Sequence, residues 1–531
     1  MLRYVMVVGA LCAGCAPFLP GGVPRPEPDA TVIVAAVGVV LAALVAVLGG
    51  RAARVVAAVV ATGLAGAAWW LLVSDLVIGL TGHDLPVLAV GSAAVAVGAV
   101  GRAVPASGGA EEAGARATGW RLRPVGVLPV VAVVVAAVLA PAAAEAVVVR
   151  SQTRDARDFA PPPVVERPGE RQWSWQPPGD VVDVVPVLHG VAVATRDGAV
   201  TAVNGLDGRQ QWRYARPGAA VGAVVASPDR RVVAVSFRSV RDTRAQEVVV
   251  LDADTGTPRF EVVLRSVLVE TGQLRPGAHV LAVRDREEVT GYDLGDGTRR
   301  WRWSPPTGCT AWSGTVAWGR TTVLLPVECP DTLGVTALDE ATGEERWRHE
   351  VRRTDSNGER QDVRLGTTSD GAVVLLQTFG GIESPGSEPD GLLDADTGRL
   401  LSRPGRPWTV RVDAGATPLV EEDEGGRLTG LLALDPATGT TTRLPVEDCP
   451  ARTADVTTAT TYLRACADNG RELTVVAQPL DGSPPTSTPV RLDGSGSTGR
   501  SDVRLVAAPG AIVVTRTVFG GTPAPVVGLL G

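Results

Sequence analysis

One phrase recurs along residues 171–531 of this sequence, and it constrains the fold more than any other feature. A run of aliphatic residues ends in Asp, passes a turn containing Gly, and delivers an aromatic residue a few positions later. Residues 335–351 write it as VTALDEATGEERWRHEV. Other copies read VTAVNGLDGRQQWRY at 200–214, VVVLDADTGTPRFEV at 248–262 and VTGYDLGDGTRRWRW at 289–303. GLLDADTGRLLSR at 391–403, LLALDPATGTTTRL at 431–444 and a worn TVVAQPLDGSPPTS at 474–487 follow. The turn glycines Gly208, Gly256, Gly297, Gly343, Gly398, Gly439 and Gly482 stand 41 to 55 residues apart. A period of about 40–50 residues in β-rich sequence predicts propeller blades.

Each copy carries its own physical logic. Val335, Ala337 and Leu338 around Thr336 suit a strand packed between neighbouring sheets. Asp339 and Thr342 cap the free backbone N–H groups of a tight turn, and Gly343 supplies the positive φ it needs. The outgoing strand then presents Trp347, expected to wedge against the turn and the adjoining blade. Asp252, Asp293, Asp394 and Asp435 occupy the capping position in other copies, and Trp212 and Trp301 the aromatic one. Where Trp is missing, Phe260 or Leu401 sits in or beside the slot.

One copy is displaced. RQWSWQ at 171–176 looks like an outgoing strand with nothing before it, and the C-terminal VRLVAAPGAIVVTRTV…APVVGLL supplies three strands and stops. Joining them through Trp173 and Trp175 completes a blade and closes a ring without open edges. Seven glycine-marked copies and this composite predict an all-β eight-bladed propeller, or seven blades if the copy near Gly482 is a loop.

Residues 1–149 are different. Uncharged runs lie at Tyr4–Leu19, Ala30–Leu48, Val55–Val73, Leu85–Gly101 and Val125–Ala144. A helix needs about 20 apolar residues to cross a bilayer, so the second, third and fifth qualify clearly and the first and fourth are marginal. Arg3, Arg51, Arg54, Arg102, Arg116, Arg121 and Arg123 fall in alternate loops, and the intervening loops carry only Arg25. The expectation is about five transmembrane helices in a plasma membrane, with a cytoplasmic N-terminus and an extracytoplasmic propeller. Residues 150–170 form a Pro/Arg-rich linker between the two regions.

The cysteines support that orientation independently. Cys309 and Cys329 mirror about Gly319, and Cys449 and Cys466 about Thr457-Thr458. A hairpin at each centre sets the pair opposite, within disulfide reach, in an oxidising compartment. The net charge of −7 argues against a nucleic-acid partner. The chain contains no lysine, which excludes Schiff-base chemistry and a P-loop lysine and resembles the coding bias of a GC-rich bacterial genome.

The pattern A-x-D-x-x-T-G-x-x-x-W resembles the repeat of the quinoprotein (PQQ-type) β-propellers, and the resemblance spans residues 171–531. The same repeat builds the non-catalytic propeller of the outer-membrane-assembly lipoprotein family, so it implies a fold and not a cofactor. Membrane-bound quinoprotein glucose dehydrogenases are similar in layout, with five membrane helices before an outward propeller. That resemblance implies a lysine at the quinone, and the related alcohol dehydrogenases imply a disulfide between adjacent cysteines; this sequence has neither. No catalytic, cofactor-binding or metal-binding residue is assigned, and PQQ is not expected. The expected partners are the lipid bilayer and an envelope protein or small-molecule ligand.

Several shorter motifs have plainer readings. GSGSTGRS at 494–501 mimics a P-loop with Arg500 in the lysine position, but its composition is that of a solvated loop. Cys12-Ala13-Gly14-Cys15 has the spacing of a redox pair or a lipidation box and is read as small residues of a membrane helix. Asp252/Asp254 and Asp394/Asp396 offer too few oxygens for calcium and are read as turn caps. His83, His189, His279 and His349 lack zinc spacing, and Asp75 is read as an interfacial carboxylate. APAAAEA at 140–146 has the small-residue character of a signal-peptidase site.

Overall fold

The computed structural model describes residues 2–19, 28–77, 82–104, 127–156, 160–239, 246–264, 273–285, 288–311, 316–352, 361–368, 370–380, 389–402, 408–411, 417–424, 427–435, 438, 440–446, 449, 452–468, 472–492, 502–517 and 523–531. Five helices come first: α1 (Leu2–Cys15), α2 (Pro28–Leu48), α3 (Arg51–Val77), α4 (Asp84–Ala103) and α5 (Val127–Val148). The last four are long and apolar enough to cross a membrane, including α4, whose sequence run looked marginal. The shortfall falls on α1, with 14 residues. Only Gly49 and Gly50 separate α2 from α3, and Arg54 Nε donates to the Gly49 carbonyl at 3.0 Å. Glycine also lets α1 and α4 approach. A Cβ on Gly91 would stand 2.7 Å from the Ala13 nitrogen, and one on Gly9 2.8 Å from Ala94 Cβ. Small residues at such contacts bring helices into backbone proximity, which compensates for the weak drive to associate in lipid.

The strands form eight sheets, one per blade. Strands β1 (Arg150–Gln152) and β2 (Gln172–Trp175) precede the first complete blade. Blade 1 follows, with β3 (Val181–Val187), β4 (Gly190–Thr195), β5 (Ala199–Asn204) and β6 (Gln210–Ala215). Blade 2 holds β7 (Ala219–Ala226), β8 (Val232–Ser239), β9 (Gln246–Asp252) and β10 (Pro258–Leu264). Blade 3 holds β11 (Leu274–Pro276), β12 (Val280–Asp285), β13 (Glu288–Asp293) and β14 (Arg299–Trp303). Blade 4 is β15 (Ala317–Trp318), β16 (Thr322–Glu328), β17 (Thr332–Asp339) and β18 (Glu345–Arg352). Blade 5 is β19 (Gln361–Thr367), β20 (Val373–Gly380), β21 (Pro389–Asp394) and β22 (Leu400–Ser402). Blade 6 is β23 (Trp408–Arg411), β24 (Leu419–Glu424), β25 (Arg427–Leu434) and β26 (Thr441–Leu444). Blade 7 is β27 (Arg452–Thr457), β28 (Thr461–Asp468), β29 (Glu472–Pro479) and β30 (Thr486–Val490). Blade 8 joins β31 (Asp502–Ala508), β32 (Ala511–Thr517) and β33 (Val526–Leu529) to β2 from the other end of the chain.

The copy near Gly482 is a true blade turn, so the ring has eight blades. Its closure pairs Trp173 with Gly528 and Trp175 with Val526. Val191, Val193, Val513 and Val526 pack around Trp173 in one core between blades 1 and 8. Successive blades bury the Val, Leu and Ala faces of their strands against one another in the same way.

The described residues of segment 150–170 contact the ring at several points. Strand β1 adds a fifth strand to blade 1, with Arg150 opposite Ala215 and Gln152 opposite Arg213. Val164 then bridges Pro509 at the inner turn of blade 8, and Gly510 N–H donates to the Pro163 carbonyl at 3.0 Å. Glu166 accepts from the Thr460 hydroxyl of blade 7. The one segment thus supplies a strand to blade 1 and a bridge to blade 8, the two blades that meet at the closure.

Both disulfides are formed, Cys309–Cys329 and Cys449–Cys466. The second departs from the mirror register. Arg452, not Cys449, pairs with Cys466, because the hairpin turns at Thr458–Thr461 rather than at Thr457-Thr458. Cys449 lies before the strand, with its Cα 5.3 Å from that of Cys466.

Candidate functional site

The repeat residues assemble into a clamp between blades. Asp339 Oδ1 accepts from the N–H groups of Ala341 and Thr342, each at 2.9 Å. Gly343 takes φ of +71° and donates its N–H to the Asp339 carbonyl at 2.9 Å. Gly208, Gly256, Gly297, Gly398 and Gly482 also have positive φ. Asp252 and Asp394 cap their turns as Asp339 does, and Asp293 accepts from Gly295 N–H at 2.6 Å. Asp435 accepts from the Thr438 hydroxyl at 2.8 Å; Gly439 lies outside the described residues, as does the P-loop-like 494–501.

The aromatic residue acts on the next blade rather than on its own turn. A Cβ on Gly208, Gly256, Gly343 or Gly398 would stand 2.6–2.7 Å from the indole of Trp173, Trp212, Trp301 or Trp347 respectively, each from the preceding blade. Phe260 fills the same slot over Gly297. Indole N–H groups complete the clamp: Trp173 donates to Gly205, Trp212 to Ala253 and Trp301 to Glu340, at 2.7, 2.9 and 2.8 Å. The carbonyl of Ala395 in blade 5 instead accepts from the Thr322 hydroxyl at 2.8 Å. Opposite each indole on its own sheet stands a small residue, Gly528, Ala202, Gly291 or Ala337, which leaves room for the ring. At the closure Trp173 is the buried member and Trp175 is half-buried.

An arginine seven residues after the capping Asp was not singled out in the sequence. Arg259 pairs with Asp252, Arg300 with Asp293 and Arg346 with Asp339. In Asp252 and Asp339 burial pushes the carboxyl up, but turn N–H groups and the arginine outweigh it and hold it below its ordinary value. In Asp293 the Gly295 N–H, then Arg300, pull in the same direction. The signal was present as D-x₆-R in three copies.

The strand alternation places the aspartate turns on one face of the ring and the entry of α5 on the other. Because β1 runs antiparallel to β6 and starts opposite Ala215, the helix arrives on the face away from the turns. Only Val149 lies between α5 and β1. From there the chain climbs to the turn face, where Arg154 Nε donates to the Asp254 carbonyl at 2.6 Å and the side chains pair. Buried His189 lies 3.5 Å from the same Asp254 carboxylate.

Directly beside the joint lies a buried charged network. Arg216 extends to Glu247 and Glu261 of blade 2, at 2.7 Å each, and its Nε donates to the Tyr214 hydroxyl at 3.0 Å. Tyr214 itself pairs with Ser151 of β1. Burial pushes Glu247 well above the ordinary carboxylate range despite Arg216, and Glu145 in the last turns of α5 adds to the rise. Burial also pushes Glu261 up, but its hydrogen bond with Glu247 and the Arg216 charge bring it below the ordinary value. The two carboxylates are thus coupled around a single guanidinium, and burial disfavours the charge on Glu247 more than on Glu261.

On the inner strands, Arg504 of blade 8 meets Asp183 of blade 1 at 3.2 Å. PQQ, the cofactor associated with this repeat, is a flat polycarboxylate used with a metal ion. The four clamp indoles are occupied by glycine turns. No group of three His, Cys, Asp or Glu residues able to hold a metal occurs among the described residues. The paired aspartates Asp252/Asp254 and Asp394/Asp396 are spent on turns and on neighbours, Asp396 accepting from Thr321 N–H at 3.0 Å. Among the described residues, the clamp indoles and the turn aspartates are thus taken up by contacts within and between blades.

Fold and turns define residues 171–531 as an eight-bladed β-propeller of PQQ-like repeats behind a set of apolar helices. A family model described as outer membrane protein assembly factor BamB matches residues 196–443. Among solved structures, quinohemoprotein alcohol dehydrogenase ADHIIG from Pseudomonas putida HK5 is similar at 15% identity, covering 67% of this chain and 75% of that one, with a TM-score of 0.41. Dihydro-heme d1 dehydrogenase NirN is also 15% identical, over 63% of this chain and 75% of that one, with a TM-score of 0.41. The WD40 domain of SCAP from fission yeast is 9% identical over 68% of this chain and 98% of that one, at 0.40. No curated protein matches the sequence.

Proposed function

We propose that this protein is a multi-pass plasma-membrane protein whose extracytoplasmic propeller binds or scaffolds a partner at the bacterial cell envelope, without chemistry of its own. The observation that carries the reading is the joint between α5 and β1, which fixes the ring to an apolar helix through one residue. Support for the orientation comes from the arginine-rich alternate loops and from two disulfides in the ring. The partner is an envelope protein or a small molecule, held by a ring whose clamps leave the blades little freedom.

Two measurements test it. A reporter active only outside the cytoplasm is expected to work when fused after Arg150 and to stay silent when fused near Gly108; activity at both sites would overturn the topology. Purified protein given PQQ and calcium is expected to retain no quinone absorbance and to reduce no dye. Stoichiometric bound quinone with dehydrogenase activity would replace the binding reading by a quinoprotein enzyme.

A further inference from the structure

Six cysteines divide unequally between the two regions. Four are paired in the propeller, and the other two, Cys12 and Cys15, are free thiols in the last turn of α1. Residues three apart share one face of a helix, with Cβ atoms about 5–6 Å apart. A disulfide needs Cα atoms about 4.4–6.8 Å apart and Cβ atoms about 3.5–4.5 Å apart. Closing the pair therefore takes a small adjustment of one turn rather than a rearrangement. That turn is where α1 gives way to the 3-10 turn Ala16–Phe18, with Pro17 in it, so the helix is already changing geometry there. The two thiols also differ in access, Cys15 being exposed and Cys12 half-buried.

We propose that Cys12 and Cys15 form a reversible dithiol–disulfide site that exchanges with a disulfide-bearing thiol compound or protein of the envelope. The exposed Cys15 thiolate attacks one sulfur of the partner disulfide, forming a mixed disulfide and releasing the partner's other sulfur as a thiolate. Cys12 thiolate then attacks Cys15 Sγ and expels the remaining partner sulfur. Two electrons and two protons pass from this pair to the partner, one S–S bond forms, and one breaks. The exchange is coupled to the helix bundle through Ala13, which lies between the two thiols and is buried against Gly91 of α4. Shortening the last turn of α1 acts on that contact, where a Gly91 Cβ would have only 2.7 Å to the Ala13 nitrogen.

This inference rests on the proposed topology, which puts the end of α1 on the same side as the propeller. The test uses the full-length protein in intact cells and in membranes, with exposed Leu206 changed to Cys as a marker of the propeller's side. Impermeant maleimide is expected to label both Leu206→Cys and Cys15. Equilibration of membranes with oxidised glutathione is expected to abolish alkylation of both Cys12 and Cys15 within a monomer, with loss of two hydrogens from their peptide. Reduced glutathione should restore both thiols while the two propeller disulfides persist. In Cys12→Ser, oxidation should leave Cys15 as a mixed disulfide with glutathione. Labelled Leu206→Cys with Cys12 and Cys15 alkylated at every glutathione ratio would overturn this site alone. So would a Cys15–Cys15 dimer as the oxidised product. Absence of label at both Cys15 and Leu206→Cys would instead overturn the topology, and this proposal with it.

Discussion

The indole of Trp301 lies across Gly343 of the following blade, so closely that a Cβ on the glycine would stand 2.6 Å from ring carbon Cγ. Trp301 also donates its N–H to the Glu340 carbonyl in the same turn. One blade's outer strand is thereby locked to its neighbour's capped hairpin. Trp301→Ala is expected to cost about 3–5 kcal/mol. Gly343→Ala should cost at least about 1–2 kcal/mol for the left-handed backbone alone, with the ring clash added. The two losses should sum to more than the double variant's, since both remove one contact. Denaturant unfolding of the three variants checks this; strict additivity would separate the residues.

The ring closure has a buried and a half-buried tryptophan, and they should differ. Trp173→Ala is expected to cost about 3–5 kcal/mol and Trp175→Ala clearly less. Deleting 171–176 should lower the melting temperature of the whole propeller, because it bares the edge of β33. A deletion with no thermal effect would refute closure through β2.

Arg216 sits between two buried carboxylates. Arg216→Met is expected to destabilise by about 3–5 kcal/mol, since it leaves a buried negative charge without its counter-charge. Glu247→Gln keeps the size of the side chain and removes only a charge that burial disfavours, so its cost should be much smaller. Equal costs in chemical denaturation would mean that the charge on Glu247 matters as much to the fold as that on Arg216.

Acid should weaken the ring through the turn aspartates. Asp252, Asp293 and Asp339 are held below their ordinary values in the folded protein. The folded state binds fewer protons than the unfolded one, so their stabilisation is complete above the unfolded value of about 3.9 and drains as pH falls through the folded values. Asp339→Asn should lower stability at neutral pH and show a shallower loss on acidification. Parallel pH profiles for variant and parent would contradict the assignment.

The blade count and the closure were legible because each copy carries its own turn chemistry. Gly343 marks a positive φ, Asp339 a cap and Trp347 an outgoing strand, all within a dozen residues. What the indole rests on was harder to read. Trp301 and Gly343 are 42 residues apart, and only the ring brings them together. The Cys449–Cys466 register slipped because the turn begins later than symmetry about Thr457-Thr458 suggests. Arg216, Glu247 and Glu261 left no local trace, since isolated charges just after β6 and on β9 and β10 look like solvated positions until the blades stack. Segment 150–170 read as a linker from its Pro and Arg content, yet its contacts are to carbonyls and turns that no composition reveals.

Val149 sets the reach of the molecule. One extended residue spans at most about 3.3–3.6 Å, so the ring has no stalk on which to rise or swing away from the end of α5. On the proposed topology and function its search for a partner is therefore a search in two dimensions, at the speed of a helix bundle's lateral diffusion and at a fixed height above the headgroups. A soluble ligand must enter that thin layer to be met, and a membrane-bound one needs only to drift alongside.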